Sequence, residues 1–269
     1  MTEKERQRSG EAINRLLMVM EKLRSENGCP WDKEQDHKTL RKYLIEESYE
    51  VIDAIDRCDD DDLKEELGDL LLQVVFHAQL GKERGVFAFP EVADTISEKM
   101  VRRHPHVFGN IHCETSDDVL VNWAAIKEEE KKSKGKESRR LDIPPTFPAL
   151  YRAQKVQKKA AEVGFDWDND DDIKAKIREE AAEVEDAIAK GSIENIKDEI
   201  GDLLFAVVNW SRYLHIDAEE ALRESTEKFS RRFYAMEDTI SAEGKDLSAM
   251  ELPEMDAYWD KIKAKEKEK

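Results

Sequence analysis

Glycine, proline and cysteine are scarce in this chain: 11, 7 and 3 of 269 residues. So few turn formers argue against a protein of many short strands. Cys29, Cys58 and Cys113 are odd in number, far apart and form no CxxC pair, which excludes a disulfide scaffold or a zinc ribbon and fits a reducing cytoplasm. No apolar run approaches the ~18–20 residues a membrane span needs. No basic segment followed by an apolar one opens the chain, so no secretory signal is expected and the expected location is cytoplasmic. Basic residues are in deficit, with 44 Lys and Arg against 62 Asp and Glu and a net charge of −18, which disfavours a nucleic-acid polymer as partner. High net charge is also a mark of disorder, but apolar residues recur at helical spacing through both halves. The length corresponds to about two domains.

What is present is a sequence written twice. IEESYEVIDAI at 45–55 returns as REEAAEVEDAI at 178–188, and Glu66-Leu67-Gly68-Asp69 returns as Glu199-Ile200-Gly201-Asp202, both 133 positions on. Gly28-Cys29-Pro30-Trp31-Asp32 meets Gly164-Phe165-Asp166-Trp167-Asp168 at 136, Glu98-Lys99-x-x-Arg102-Arg103 meets Glu227-Lys228-x-x-Arg231-Arg232 at 129, and Trp123-x-x-Ile126-Lys127 meets Trp259-x-x-Ile262-Lys263 at 136. Five blocks in one order indicate duplication of a domain. Between the copies, KEEEKKSKGKESRR at 127–140 is almost wholly polar and Pro144-Pro145 stops a helix. The expected organisation is a first domain at 1–129, a linker at 130–147 and a second domain at 148–269.

Each half reads as four or five helices. Leu67, Leu71, Val74 and Ala78 fall on one helical face, as do Ile45, Ile52 and Ile55 on the segment before. Asp59 to Asp62 separate the two segments and offer N-cap chemistry; Gly191-Ser192 makes the same break in the second half. Short breaks imply antiparallel neighbours, hence a central helix hairpin in each half.

That hairpin carries the chemistry. Glu47-x-x-Glu50 is followed by Glu66-x-x-Asp69, and Glu180-x-x-Glu183 by Glu199-x-x-Asp202, with fifteen residues between the pairs each time. An i, i+3 pair lies on one face, so an antiparallel hairpin lets four carboxylates converge. Like charges at that range need compensation, and an all-oxygen set suits Mg²⁺, or Mn²⁺, better than zinc. Each second pair brackets a glycine, Gly68 or Gly201. A mid-helix glycine costs roughly 1 kcal/mol against alanine, which points to close helix approach or to room for a ligand.

The ExxE and ExxD pairs, the GxxWD opening, the EKxxRR block and the tandem arrangement together resemble the MazG family of nucleoside triphosphate pyrophosphohydrolases, over about residues 10 to 265. The resemblance implies an all-α fold of tandem duplicated helical bundles, and a homodimer. It implies Mg²⁺-dependent hydrolysis of nucleoside triphosphates between the α and β phosphates, giving the monophosphate and pyrophosphate. On these residues Glu180, Glu183, Glu199 and Asp202 would hold the metal and carry the catalysis. Glu47, Glu50, Glu66 and Asp69 form a second metal-capable set. One carboxylate not fully engaged by metal would take the water's proton; Glu179 is a candidate, although the helix turns it about 100° from its neighbour.

Phosphate needs cations. Lys228, Arg231 and Arg232 form a cluster, and Lys176 stands one turn before Glu180. Asn209, two turns past Asp202, is a candidate for phosphate or sugar and equally for an ordinary buried amide; Trp259 and Trp123 are candidates for stacking on a base or for packing. The first half has Phe76 where the second has Asn209 and Tyr43 where it has Lys176, so the second half is expected to be the main catalytic one. A di-iron bundle would need Glu-x-x-His on two core helices, and only Glu34-x-x-His37 matches; no GxxxxGK[ST] loop occurs. A regulatory helical dimer that binds nucleotide without hydrolysing it uses the same residues and stays open as the alternative.

Overall fold

The computed structural model describes residues 1–133 and 141–267. The chain divides into two compact units, Met1–Lys134 and Gly135–Lys269. Among the described residues every regular element is helical. The first unit contains α1 (Glu3–Leu23), α2 (Pro30–Glu34), α3 (Arg41–Asp56), α4 (Asp60–Glu83), α5 (Phe89–Arg103), α6 (Pro105–Phe108) and α7 (Ser116–Ser133). The second contains α8 (Ala149–Ala161), α9 (Asp170–Lys190), α10 (Ile193–Tyr213), α11 (Ala218–Ala242), a 3-10 turn at Leu247–Ala249 and α12 (Leu252–Lys267). Set aside the single turns α2 and α6, and each unit has five α-helices among the described residues. Part of the linker expected at 130–147, residues 134–140, lies outside the described residues. No described helix is long and apolar enough to cross a membrane.

The hairpins α3–α4 and α9–α10 form as the breaks require. Asp59 caps α4 by accepting from the Asp62 amide, and Asp60 to Asp62 place negative charge on the amide end of the helix dipole. In the second unit α9 ends on Gly191, left-handed at φ 75°, and Ser192 caps α10 by accepting from the Asn195 amide. At the matching position of the first unit stands Cys58, also left-handed, at φ 53°.

Each unit has its own core. In the first, Met20 of α1, Leu40, and Val75, Phe76 and Leu80 of α4 are buried, with Ile13, Leu16, Tyr43, Leu72 and Phe89 against them. In the second, Met236 and Ile240 of α11 pack on Tyr258 and Ile262 of α12. The apolar stripe read from the sequence is split: Ala78 is buried, and the rest faces outward. Leu67, Leu71 and Val74 of α4 and Ile45, Ile52 and Ile55 of α3 are exposed, as are Ile188, Ile200, Leu204, Phe205 and Val207 of α9 and α10. Each hairpin therefore shows water an apolar face.

Candidate active site and metal centre

Helix α9 brings Lys176, Glu179, Glu180 and Glu183 to the hairpin, and α10 brings Glu199, Asp202 and Asn209. One carboxylate oxygen each from Glu180, Glu199 and Asp202 lie within 4.8 Å of one another. Glu180 is 5 % exposed, an unusual depth for a carboxylate. Its Oε1 is 2.7 Å from the Lys176 ammonium, while its Oε2 is buried without a hydrogen-bond partner. Glu183 stands beside this triplet. A hydrogen bond with Glu180, then burial, then the negative charges of Glu180 and Glu199 push its carboxyl above the ordinary range.

The first unit repeats the arrangement with Glu47, Glu66 and Asp69, again within 4.8 Å of one another. Burial, followed by the charges of Asp69 and Glu50, raises the Glu47 carboxyl; burial, followed by the charge of Glu50, raises that of Glu66. Gln73 Nε2 donates to Glu47 Oε1 at 3.5 Å. The first unit's cluster lifts Glu47 and Glu66 toward the protonated form, and the second unit's lifts the neighbouring Glu183 and holds an orphaned buried oxygen; both fit a hard divalent cation.

Gly68 and Gly201 do not mark close helix packing: a Cβ built on either meets nothing within 4 Å. Of the two meanings a mid-helix glycine carried, the structure retains open space beside the carboxylates.

The remaining candidates fall into separate groups. Lys176 joins the carboxylates; its Nζ is 2.8 Å from Glu179 and 2.7 Å from Glu180, and both contacts raise its pKa. Asn209 Oδ1 accepts from Arg212 Nε at 3.0 Å, and Arg212 also pairs with Asp166 of the GFDWD segment. Asn209 thus takes part in tying that segment to α10. Lys228, Arg231 and Arg232 lie on α11, where Arg232 Nε donates to Glu266 Oε2 of α12 at 2.7 Å. Trp259 of α12 packs against the second core, and its ring is 5.1 Å from that of Phe229.

Phe229 and Glu266 escape a reading of the sequence alone. Phe229 sits inside the EKxxRR block as one of its unspecified positions. Glu266 repeats Glu130 at the displacement of the tryptophans, a signal masked because Glu130 lies in the polar stretch taken as linker.

The model of the MazG nucleotide pyrophosphohydrolase domain matches residues 35–108 and 169–234, one stretch in each unit. The nucleoside triphosphate pyrophosphohydrolase of Escherichia coli K12 is 48 % identical over 257 residues, covering 94 % of this chain and 98 % of the relative. The nucleoside triphosphate pyrophosphohydrolase/pyrophosphatase MazG of Thermotoga maritima is 47 % identical over 255 residues, 95 % and 97 % of the two chains. A nucleoside triphosphate pyrophosphohydrolase of Mycolicibacterium smegmatis is 33 % identical over 229 residues, 76 % and 70 %.

Proposed function

The chain belongs to the MazG nucleotide pyrophosphohydrolase family, and from that premise we propose that it hydrolyses nucleoside triphosphates to the monophosphate and pyrophosphate with Mg²⁺, Mn²⁺ being the alternative ion. The observation that carries this reading is the convergence of Glu180, Glu199 and Asp202, together with a buried Glu180 oxygen that has no hydrogen-bond partner. Glu180, Glu183, Glu199 and Asp202 are the residues that would hold the cation. Once bound, it supplies neutralisation of charge on the phosphate oxygens and polarisation of the attacking water.

The chain's own groups do the rest. Lys176 sits against Glu180 and offers a positive charge at the edge of the carboxylate cluster. A carboxylate that the cation does not fully engage takes the proton from water, Glu179 beside the set being the candidate. Lys228, Arg231 and Arg232 receive phosphate oxygens, and Trp259 with Phe229 offers an aromatic face to the base. Asn209 acts through the Arg212–Asp166 network.

The second unit is assigned the main turnover. In the first, Phe76 is buried in the core and Tyr43 packs against it, edge-on to Trp31, so apolar rings stand where the second unit has Asn209 and Lys176. We propose domains at 1–129 and 148–269 and a linker at 130–147, with the last turn of α7 running into the first residues of that linker. A homodimer is the assembly we assign, in which a second copy covers the exposed apolar faces of the hairpins.

The deciding assay incubates the full chain with Mg²⁺ and a panel of ribo- and deoxyribonucleoside triphosphates and identifies the products. Monophosphate plus pyrophosphate is expected. Diphosphate plus phosphate would contradict the reading, and no turnover would favour a nucleotide-binding regulatory dimer.

A further inference from the structure

In both units two neighbouring arginines converge on one carboxylate from the unit's last helix. Arg232 Nε donates to Glu266 Oε2 at 2.7 Å, its Nη2 is 2.7 Å from the same oxygen, and Arg231 Nε lies 3.8 Å from Oε1. In the first unit Arg102 Nε donates to Glu130 Oε1 at 2.7 Å, and Arg103 Nη2 donates to Oε2 at 2.6 Å. The arrangement obeys the duplication: Glu130 and Glu266 are 136 positions apart, as are Trp123 and Trp259.

Consecutive helix positions point about 100° apart. Two adjacent guanidinium groups meet only when something draws them together: Glu130 accepts from both of its arginines, and Glu266 accepts from Arg232 with Arg231 at ion-pair range. The contacts are felt by the acid. The Arg232 hydrogen bond, ahead of the charges of Arg232, Arg231 and Lys228, holds the Glu266 carboxyl below its ordinary range; hydrogen bonds from Arg103 and Arg102 bring that of Glu130 down to about 2.

The position also has meaning. Glu266 follows Trp259 by seven residues, two turns, and so shares its face of α12. Phe229 precedes Arg232 by three and shares its face of α11. The seam that holds the arginine therefore also holds the Phe229–Trp259 ring pair. Glu266 engages Nε and Nη2 of Arg232 and leaves Nη1 for another acceptor.

Resting on the reading that this cluster receives the phosphates, we propose that Glu266 is a positioning residue for substrate. It fixes Arg232 beside the aromatic pair and draws Arg231 to the same place, so that a triphosphate meets a clamp already formed. An arginine held in advance loses less rotamer freedom when phosphate arrives, and the benefit appears in substrate binding rather than in the bond-breaking step.

The test is steady-state kinetics on the full chain with Mg²⁺ and its preferred triphosphate. Glu266→Gln keeps the side chain's size and removes the charge. Its KM rises about tenfold, on the scale of one lost charge-assisted hydrogen bond, while kcat stays within about twofold. In an Arg232→Ala background, which itself raises KM, Glu266→Gln adds nothing. An unchanged or lowered KM in Glu266→Gln overturns the proposal, the lowered case meaning that Glu266 competes with phosphate. A full penalty persisting in the Arg232→Ala background overturns it as well. A parallel loss of kcat and thermal midpoint assigns Glu266 a structural role instead. If Arg232→Ala leaves KM unchanged, the phosphate-binding reading of the cluster itself fails, and the positioning role falls with it.

Discussion

The Nδ1 atoms of His37 and His77 lie 2.8 Å apart, with the rings stacked 13° from parallel. The matching residues of the second unit, 133 positions on, are Asp170 and Trp210, and there Trp210 Nε1 donates to Asp170 Oδ1 at 2.6 Å. One tether, tying the approach to the first hairpin helix onto the second, is thus built from two chemistries. Two facing Nδ1 atoms share a single proton, so at least one ring is neutral.

Burial, and then the nearby His37, lower the His77 pKa from its ordinary 6.5. The folded state therefore binds fewer protons than the unfolded one across that window. The tether's contribution is full above pH 6.5 and is lost as pH falls through the lowered folded value. Acidification from pH 7 to 5 is expected to lower amide protection factors in α4 of the wild type more than in His77→Phe. Asp170, held low first by Lys174 and also by Trp210, does not titrate in that window. Equal pH responses in wild type and variant would remove the His pair from the account.

Cys58 occupies a left-handed position, φ 53°, that its repeat fills with Gly191 at φ 75°. A side chain there strains the backbone, and the expected gain from Cys58→Gly is about 1 kcal/mol in the first unit. Gly191→Ala is expected to cost the second unit a similar amount. Urea midpoints at constant m-value report both changes.

The left-handed pair shows what the sequence discloses and what it hides. The hairpins, their breaks and the four ligand spacings follow from i, i+3 and i, i+4 arithmetic and cap chemistry, all local. Leu67 and Leu204 show the limit: periodicity finds an apolar stripe but not what covers it, and in the single chain nothing within the hairpin does. The Gly68 and Gly201 environments, the Asn209–Arg212–Asp166 network and the Arg232–Glu266 pair depend on tertiary approach, which spacing along one helix does not encode.

The raised carboxyl of Glu183 makes the second hairpin sensitive to pH and cation together. Because its folded value lies above the ordinary 4.5, its contribution is present below pH 4.5 and is lost as pH rises through the folded value. With chelator present, amide protection factors in α9 and α10 are expected to be smaller at pH 7.5 than at pH 5.5. Mg²⁺ at about 100 times its Kd is expected to restore about 2.7 kcal/mol at the higher pH and to reverse the order. An absence of any Mg²⁺ effect would dismiss the metal assignment.

Glu183→Ala is expected to lower turnover by about 100-fold or more with helicity unchanged by circular dichroism. Glu50→Ala is expected to have a smaller effect. A larger loss from Glu50→Ala would move the main activity to the first unit.

Leu71 and Leu204 stand exposed on α4 and α10. Sedimentation is expected to give twice the chain mass for the wild type and the single chain mass for Leu71→Glu/Leu204→Glu, because burying two carboxylates per chain without partners opposes association. An unchanged dimer would locate the interface elsewhere.

The repeats also differ in where they have gained and lost residues. Helix α10 is shorter than α4, 21 residues against 24, and α11 runs ten residues beyond Arg232 while α5 stops at Arg103 ahead of Pro105. Between the two carboxylate pairs, by contrast, no residue has entered or left either copy. One residue inserted there within either helix would turn the acids on its two sides about 100° out of register and dismantle the set. Elsewhere a change in length only moves a joint. Between the two copies, lengths vary around the hairpin, while the count between its acid pairs is held by geometry.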